Sequence, residues 1–362
     1  MNDWRIAALP IAGTPERATA VHGLRRLFQE VFGIEPTEDQ WAWKYFKAPR
    51  SRTLTFVALC GDDWAHPVGH IGAVVLPGLF RGQSLISTHS FDLMVHPQVR
   101  GGLQPDGVYP SLMRRLAQAI WELEPDPLRR PGLWTYGFPG SVPARLAVRM
   151  GLNRPLYRVR AHHTNWEGIA PPSAWTCQVV PVAWDRSAWM DRQWARFGGQ
   201  DGRPRTLKDA AYLQWRYAQR PGFDYRLWAV KRHGLREKGW LVTRANPAQR
   251  LSDHPAQPTE HLVIDAMVPT QWAAGAGWAR ILQALAHASG QPRWMSWSPT
   301  GHACEQTEVT LIEAAELRTS TLIGGLPSAW DIRSQCGEVD LTGGDPFTGV
   351  GPLFHPGDTD VF

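Results

Sequence analysis

The feature that most constrains this chain is an internal echo. Trp43-Lys44-Tyr45, with Pro49 following, returns as Trp215-Arg216-Tyr217, with Pro221 following. Asp92-x-Met94-Val95-His96-Pro97 returns as Asp265-x-Met267-Val268-Pro269, one residue shorter. Two patterns in the same order at a nearly constant offset mark a duplicated unit of domain size. A chain of 362 residues has room for two such units, each with its own core. Any element read in one half therefore has to find a counterpart in the other.

The first half supplies the clearer pattern. Leu24, Leu27, Phe28, Val31 and Phe32 recur at helical spacing, and Gly33 stops the helix. Thr37 and Gln40 form a capping box that opens a short helix bearing Trp41, Trp43, Tyr45 and Phe46. Strands are predicted over Thr53–Leu59, Gly69–Leu76 and Ser84–Val95, as antiparallel neighbours. A glycine-rich loop leads to a helix marked by Val108, Leu112, Leu116, Ala119, Ile120 and Leu123. Leu133–Phe138 reads as a strand, Ser141–Met150 as a helix and Leu156–Ala161 as a last strand of this half. Trp166–Ala174, with Gly, Pro-Pro and Ser, reads as a linker. The second half repeats the course: a helix at Ala210–Tyr217, strands at Tyr225–Val230, Gly239–Thr243 and His261–Met267, a helix at Gln271–Ala288 enclosing Gly275 and Gly277, and a strand at Arg293–Ser298. The expected fold class is α+β, in two tandem domains (1–165 and 181–362, linker 166–180), each a mostly antiparallel mixed sheet flanked by helices. The tail from Thr342 reads as irregular.

Composition narrows the function. Hydrophobic residues at 43% and charged residues at 20% suit a soluble globular protein, with no apolar run of membrane-spanning length and no signal peptide, hence a cytoplasmic expectation. Cys60, Cys177, Cys304 and Cys336 are too scattered for a zinc site or disulfide framework, and no metal is expected. The net charge of +5 is dispersed without a basic stripe, which argues against nucleic acid and suits a small anionic ligand. The 19 tryptophans are read first as core filling.

The segment Asp92–Leu116 carries the chemistry. A strand ends at Pro97, then Gln98-Val99-Arg100-Gly101-Gly102 precedes a helix. Glycines let backbone N–H groups close on a ligand, a helix start adds unpaired donors, and Arg100 adds charge, so the junction can hold a pyrophosphate. The plainer reading is a strand-to-helix turn.

Those residues resemble the GNAT superfamily of acyl-CoA-dependent N-acyltransferases, whose pyrophosphate loop reads Gln/Arg-x-x-Gly-x-Gly/Ala. Gln98–Gly102 follows that pattern, Leu103 departs from it, and Gln104–Gly107 looks inserted, with Gly107 placed to serve as the small residue at the helix start. Val31-Phe32-Gly33, Trp43–Phe46 with Pro49, Phe138–Ser141 and Arg149–Leu152 resemble GNAT proteins associated with bacterial polysaccharide biosynthesis, over roughly residues 10–165. The second half has Pro269-Thr270-Gln271-Trp272 where the loop would stand, and is expected to contact the acceptor rather than CoA.

The resemblance implies acetyl-CoA or another acyl-CoA as co-substrate, held by Gln98, Val99, Arg100, Gly101, Gly102, Leu103, Gly107 and Val108, with backbone groups at Met94 and Val95 meeting the pantetheine arm. It implies a base on the fourth strand, where His89, Asp92 and His96 stand. His89 needs least tuning and Asp92 needs burial. The tyrosine that protonates the leaving thiolate in this family falls at Ala147, leaving Tyr136, Tyr157 or water. The acceptor would be a small-molecule amine, with an amino sugar suggested by analogy alone. Two other readings stay open: an aminoacyl-tRNA-dependent transferase of similar tandem fold, and a non-catalytic binding or assembly protein.

Overall fold

The computed structural model describes residues 4–80, 82–100, 104, 106–123, 133–136, 149, 153–198, 205–232, 236–245, 261–269, 272, 275–299 and 318–327. They fall into two compact units, divided mainly between Arg154 and Pro155.

In the first unit, β1 (Trp4–Ala8) precedes helices α1 (Pro15–Phe32) and α2 (Glu38–Phe46). Thr14 caps α1, and Gly33 ends it at φ +78°, a left-handed position that glycine takes without steric cost. The expected capping box is formed: Thr37 N donates to Gln40 Oε1 at 2.9 Å, and Gln40 N to Thr37 Oγ1 at 3.2 Å. Strands β2 (Arg52–Cys60), β3 (Gly69–Phe80) and β4 (Gln83–Val95) follow, then α3 (Val108–Trp121) and β5 (Leu133–Tyr136). The sheet order is β1-β2-β3-β4-β5. β1–β2 and β2–β3 are antiparallel, whereas β4 and β5 are parallel. Parallel neighbours need a crossover, which the segment holding α3 provides. The inner face of α3 (Val108, Leu112, Met113, Leu116, Ile120) packs on Leu54, Phe56, Ile71 and Ala73 of the sheet.

Trp41 and Trp43 are buried, as expected of core filling. Each removes about 150–250 Å² from water, roughly 4–6 kcal/mol at most. Phe46 at the end of α2 stays half in solvent under the Arg17 guanidinium.

The second unit begins with β6 (Asn153–Asn165), β7 (Gln178–Val182) and α4 (Ser187–Phe197). Helix α5 (Ala210–Leu213) continues as a π-turn, Gln214–Ala218, closed by Gln219 N donating to Gln214 O at 2.9 Å. Then come β8 (Tyr225–Arg232), β9 (Arg236–Ala245), β10 (His261–Met267), α6 (Gly275–Ser289), β11 (Arg293–Pro299) and β12 (Arg318–Pro327). The sheet order is β12-β6-β11-β10-β9-β8-β7. β10 and β11 are parallel, and the other pairs of known register are antiparallel. The expected last strand of the first half thus lies in the second sheet, with Arg293–Pro299 opposite Asn165–Val159. Helix α6 starts at Gly275, so the glycines expected inside it stand in its first turn.

The two halves share a hairpin register. Phe56↔Ile71, Val57↔His70 and Ala58↔Gly69 of β2–β3 correspond to Trp228↔Leu241, Ala229↔Trp240 and Val230↔Gly239 of β8–β9. The glycines answer a packing need at both places. A Cβ on Gly239 would fall 1.8 Å from Met267 O, and one on Gly69 would fall 2.6 Å from Val108 Cγ1.

Candidate functional site

The candidate site lies along the last part of β4, past its last pair with β5 among the described residues. β4 and β5 pair from Ile86↔Leu133 to His89↔Tyr136. β4 then runs on for six residues to Val95, with no further pair to β5 among the described residues. His96 N donates to Val68 O at 2.9 Å, so the end of β4 stays attached on its β3 side. Backbone groups alternate in direction along a strand, which turns those of Val95 away from β3, toward the side on which β5 pairs earlier in the strand. Strand donors and acceptors on such a side are groups that an extended ligand can pair with wherever no strand does.

Asp92 stands in this part of β4 at φ +48°, a left-handed value that aspartate tolerates better than most residues at a cost of about 1–2 kcal/mol. Three contacts hold it there. Lys44 Nζ donates to Oδ1 at 2.7 Å, and Tyr45 Oη donates to Oδ2 at 2.5 Å. His70 Nδ1 lies 2.8 Å from the Asp92 carbonyl, which can only accept, so the proton sits on Nδ1. The Lys44 and Asp92 side chains are 3% and 7% exposed, so this ion pair is hardly screened. His70 is fully buried beside Trp41 and Tyr45, and burial pushes its imidazole down to about 4, with the neighbouring Lys44 charge a lesser cause.

The second half repeats this brace. Lys208 Nζ lies 2.9 Å from both Asp265 carboxylate oxygens, and Tyr217 Oη donates to Oδ2 at 2.6 Å. The sequence echo is thereby explained in part: each Trp-x-Tyr presents a tyrosine to the aspartate of Asp-x-Met. The cation arrives differently, since Lys208 precedes α5 whereas Lys44 lies within α2. The β10–β11 pair ends after Leu262↔Met295. Asp265 lies three residues beyond that last pair, and Asp92 three beyond the last described pair of β4 and β5. Counted this way, His89 answers to Leu262 and Tyr136 to Met295. The aspartate is common to both halves, and the histidine belongs to the first alone.

At the far end of β4 the chain turns through a short 3₁₀ segment, Pro97–Val99. Arg100 Nε donates to Val95 O at 2.9 Å, which anchors its guanidinium beside the strand end. Gln98 and Arg100 are exposed, and Val99 rests against the α3 core cluster. Gly107 caps α3 at φ −69° and ψ 164°, without a side-chain cap and with no acidic residue in the first turn. The N–H groups of Val108 and Tyr109 in that turn have no capping side chain among the described residues and carry the positive end of the helix dipole, which favours an anion. Gly69 lets β3 approach this turn closely, because any side chain there would strike Val108 and Leu112.

Of the residues singled out from sequence, the structure brings His89, Asp92, Met94 and Val95 onto one strand, with Gln98, Val99 and Arg100 after it and Gly107 and Val108 at the helix start. Met94 is fully buried, so only its backbone could meet a ligand. His89 is buried, with Phe91 edge-on at 6.0 Å. His96 points elsewhere: its Nε2 lies 3.3 Å from Glu30 Oε2, and its Nδ1 accepts from Gln98 N. Gly101, Gly102, Leu103 and Ala147 lie outside the described residues. Sequence reasoning missed Lys44, Tyr45 and His70 as neighbours of Asp92. The repeated Trp-x-Tyr was the available clue, and nothing marked His70. Among the described residues, no helix is long and apolar enough to cross a membrane, and no group of His, Cys, Asp or Glu is placed to hold a metal ion.

No family model matches this chain, and no curated protein matches it. Solved structures do. A conserved protein of unknown function from Enterococcus faecalis V583, described as a probable N-acyltransferase, aligns with TM-score 0.59 and 13% identity, over 89% of this chain and 71% of its own. A GCN5-related N-acetyltransferase from Anabaena variabilis ATCC 29413 aligns with TM-score 0.57 and 12% identity, over 89% and 72%. A tandem GNAT protein from the clavulanic acid biosynthesis pathway aligns with TM-score 0.52 and 13% identity, over 93% of this chain and 100% of its own. At such identities the likeness speaks to architecture alone. With two units, each a mixed sheet that contains one parallel pair, the chain has the fold of these GCN5-related N-acetyltransferases and of the tandem GNAT protein.

Proposed function

We infer that the first unit binds an acyl-CoA along the last part of β4 and transfers the acyl group to the amine of a small molecule. The observation that carries this reading is an asymmetry between the halves. The half with Gln98-Val99-Arg100-Gly101-Gly102 is also the half with a titratable group, His89, at the last described pair of its parallel strands, where the other has Leu262. The donor set suits the ligand: Arg100, an uncapped helix start and a first turn without carboxylates answer a pyrophosphate.

Bound acyl-CoA would supply the activated acyl carbon. The chain's own residues have three tasks. Arg100, the Gly101–Gly102 backbone and the Gly107–Val108 turn hold the anionic end, with Gln98, Val99 and Leu103 shaping the loop. The backbone at Met94 and Val95 aligns the pantetheine arm. His89 takes the proton that the acceptor amine sheds as its C–N bond forms and the C–S bond breaks, while water protonates the departing thiolate. Asp92 is the weaker base, because a proton there would displace Lys44 or Tyr45 from a buried ion pair. The second half contributes contacts to the acceptor, and amino sugars are one class to screen.

Calorimetry with acetyl-CoA tests the reading. Wild-type protein binds, and Arg100→Glu binds at least about tenfold more weakly. His89→Ala keeps the affinity and loses turnover by about 10²–10⁴. Absence of binding at millimolar acetyl-CoA sinks the proposal.

A further inference from the structure

The strand that carries the aspartate ends differently in the two units. Asp92-x-Met94-Val95-His96-Pro97 stands against Asp265-x-Met267-Val268-Pro269, so the first unit has an added residue, His96, just before the proline. Both prolines open a turn that closes three residues on. Arg100 N donates to Pro97 O at 3.3 Å, and Trp272 N donates to Pro269 O at 2.7 Å. The turn therefore forms without a histidine, and the duplicated architecture does not call for one.

His96 belongs to the unit that carries Gln98-Val99-Arg100-Gly101-Gly102. Its backbone is tied to both neighbours: His96 N donates to Val68 O at 2.9 Å, and Val99 N donates to His96 O at 3.0 Å. Its side chain adds two contacts that only a side chain could supply. Nδ1 lies 3.3 Å from Gln98 N, a backbone group that can only donate, so Nδ1 accepts and the ring proton sits on Nε2. Nε2 lies 3.3 Å from Glu30 Oε2 on α1, and the carboxylate holds the ring in that tautomer and orientation. Arg100 grips the same turn from its other end, where its Nε donates to Val95 O at 2.9 Å. A turn fixed at both ends has less freedom to lose when a ligand settles on it, and its guanidinium starts from one place.

We propose that His96 is a positioning residue for the anionic end of the acyl-CoA. Through its cap on Gln98 N, oriented by Glu30, it holds the Pro97–Arg100 turn so that the Arg100 guanidinium stands in place before the ligand arrives. This rests on the acyl-CoA reading of the first unit. Calorimetry of the full chain with acetyl-CoA tests it. His96→Ala weakens binding roughly three- to tenfold, the range of a lost cap. His96→Asn, whose side-chain oxygen can accept from the same N–H, stays within about twofold of wild type. His96→Phe keeps a ring without its nitrogens and loses as much as His96→Ala, so the test survives a failure of His96→Ala to fold. Because His96 acts through Arg100, adding His96→Ala to Arg100→Ala changes the affinity by less than about twofold. The assignment is overturned if a folded His96→Ala or His96→Phe binds as the wild type does, if His96→Asn restores nothing, or if the loss is undiminished without Arg100. Absence of binding by the wild-type protein removes the acyl-CoA reading and this inference with it, before any variant is compared.

Discussion

Asp92→Asn is the sharpest perturbation of the brace on β4. The substitution keeps the volume and the tolerance for a left-handed backbone while removing the charge that answers Lys44. Lys44 is buried, and Tyr45 donates to the same carboxylate at 2.5 Å. Removing one partner of a buried pair costs about 3–5 kcal/mol, against a typical domain stability of roughly 5–15 kcal/mol. For a unit of this size that is a Tm loss of roughly 6–20 °C. Tyr45→Phe removes one charge-assisted hydrogen bond, for about 1.5–3 kcal/mol. The double variant Lys44→Met/Asp92→Asn removes both charges together while keeping a residue that tolerates the left-handed backbone, and recovers most of the loss, because the desolvation penalty goes with the attraction. Asp265→Asn produces a loss of the same order in the second unit, where Lys208 and Tyr217 play the same parts. Urea denaturation followed by circular dichroism and tryptophan fluorescence measures all four. Asp92→Asn within about 0.5 kcal/mol of wild type, or a double variant as unstable as the single, refutes the reasoning.

Two further outcomes follow from buried titrating groups. His70 is held neutral with its pKa at about 4, below its ordinary 6.5. The unfolded chain therefore takes up a proton below pH 6.5 that the folded chain refuses until about pH 4. His70's contribution is complete above 6.5 and is lost as the pH falls toward 4, on the order of 3 kcal/mol. His70→Gln flattens the wild-type decline in urea midpoint over that window, and equal slopes dismiss the assignment. Burial pushes the Cys177 thiol up to about 11, whereas Cys60 is exposed. Iodoacetamide at pH 8, mapped by mass spectrometry, labels Cys60 in the native protein and reaches Cys177 only on unfolding. Equal labelling of the two contradicts the structure.

Much of the architecture was legible because its signals are local. The capping box at Thr37, the stop at Gly33 and the alternating strands are written within a few residues each. The misses have local causes as well. Helix α4 buries Trp189, Met190, Trp194 and Phe197, yet its N-cap is Arg186, which makes no side-chain cap, so the usual start signal is absent. Strand β7 contains Pro181, which reads as a breaker. It is tolerated because β7 is the edge strand, bonded only to β8. The site was half legible. Loop and strand could be read from Asp92–Val108, but the partners of Asp92 lie 47 and 48 residues away, and His70 is 22 away. Spacings of that kind carry no periodic signal. Only the duplication hinted at them, by keeping a tyrosine and an aspartate together through two otherwise different halves.

Residues 153–165 follow the first repeat in chain order but lie between β11 and β12 in the other sheet. A gene cut at the Pro171-Pro172 segment would yield a C-terminal product missing an interior strand, with two raw edges where one seam had been. Expression of separate halves should therefore be divided before Asn153. The same geometry bears on ancestry. Residues 181–362 could not be shuffled into another protein or kept alone without a replacement for that strand, so the second copy is tied to the chain that precedes it.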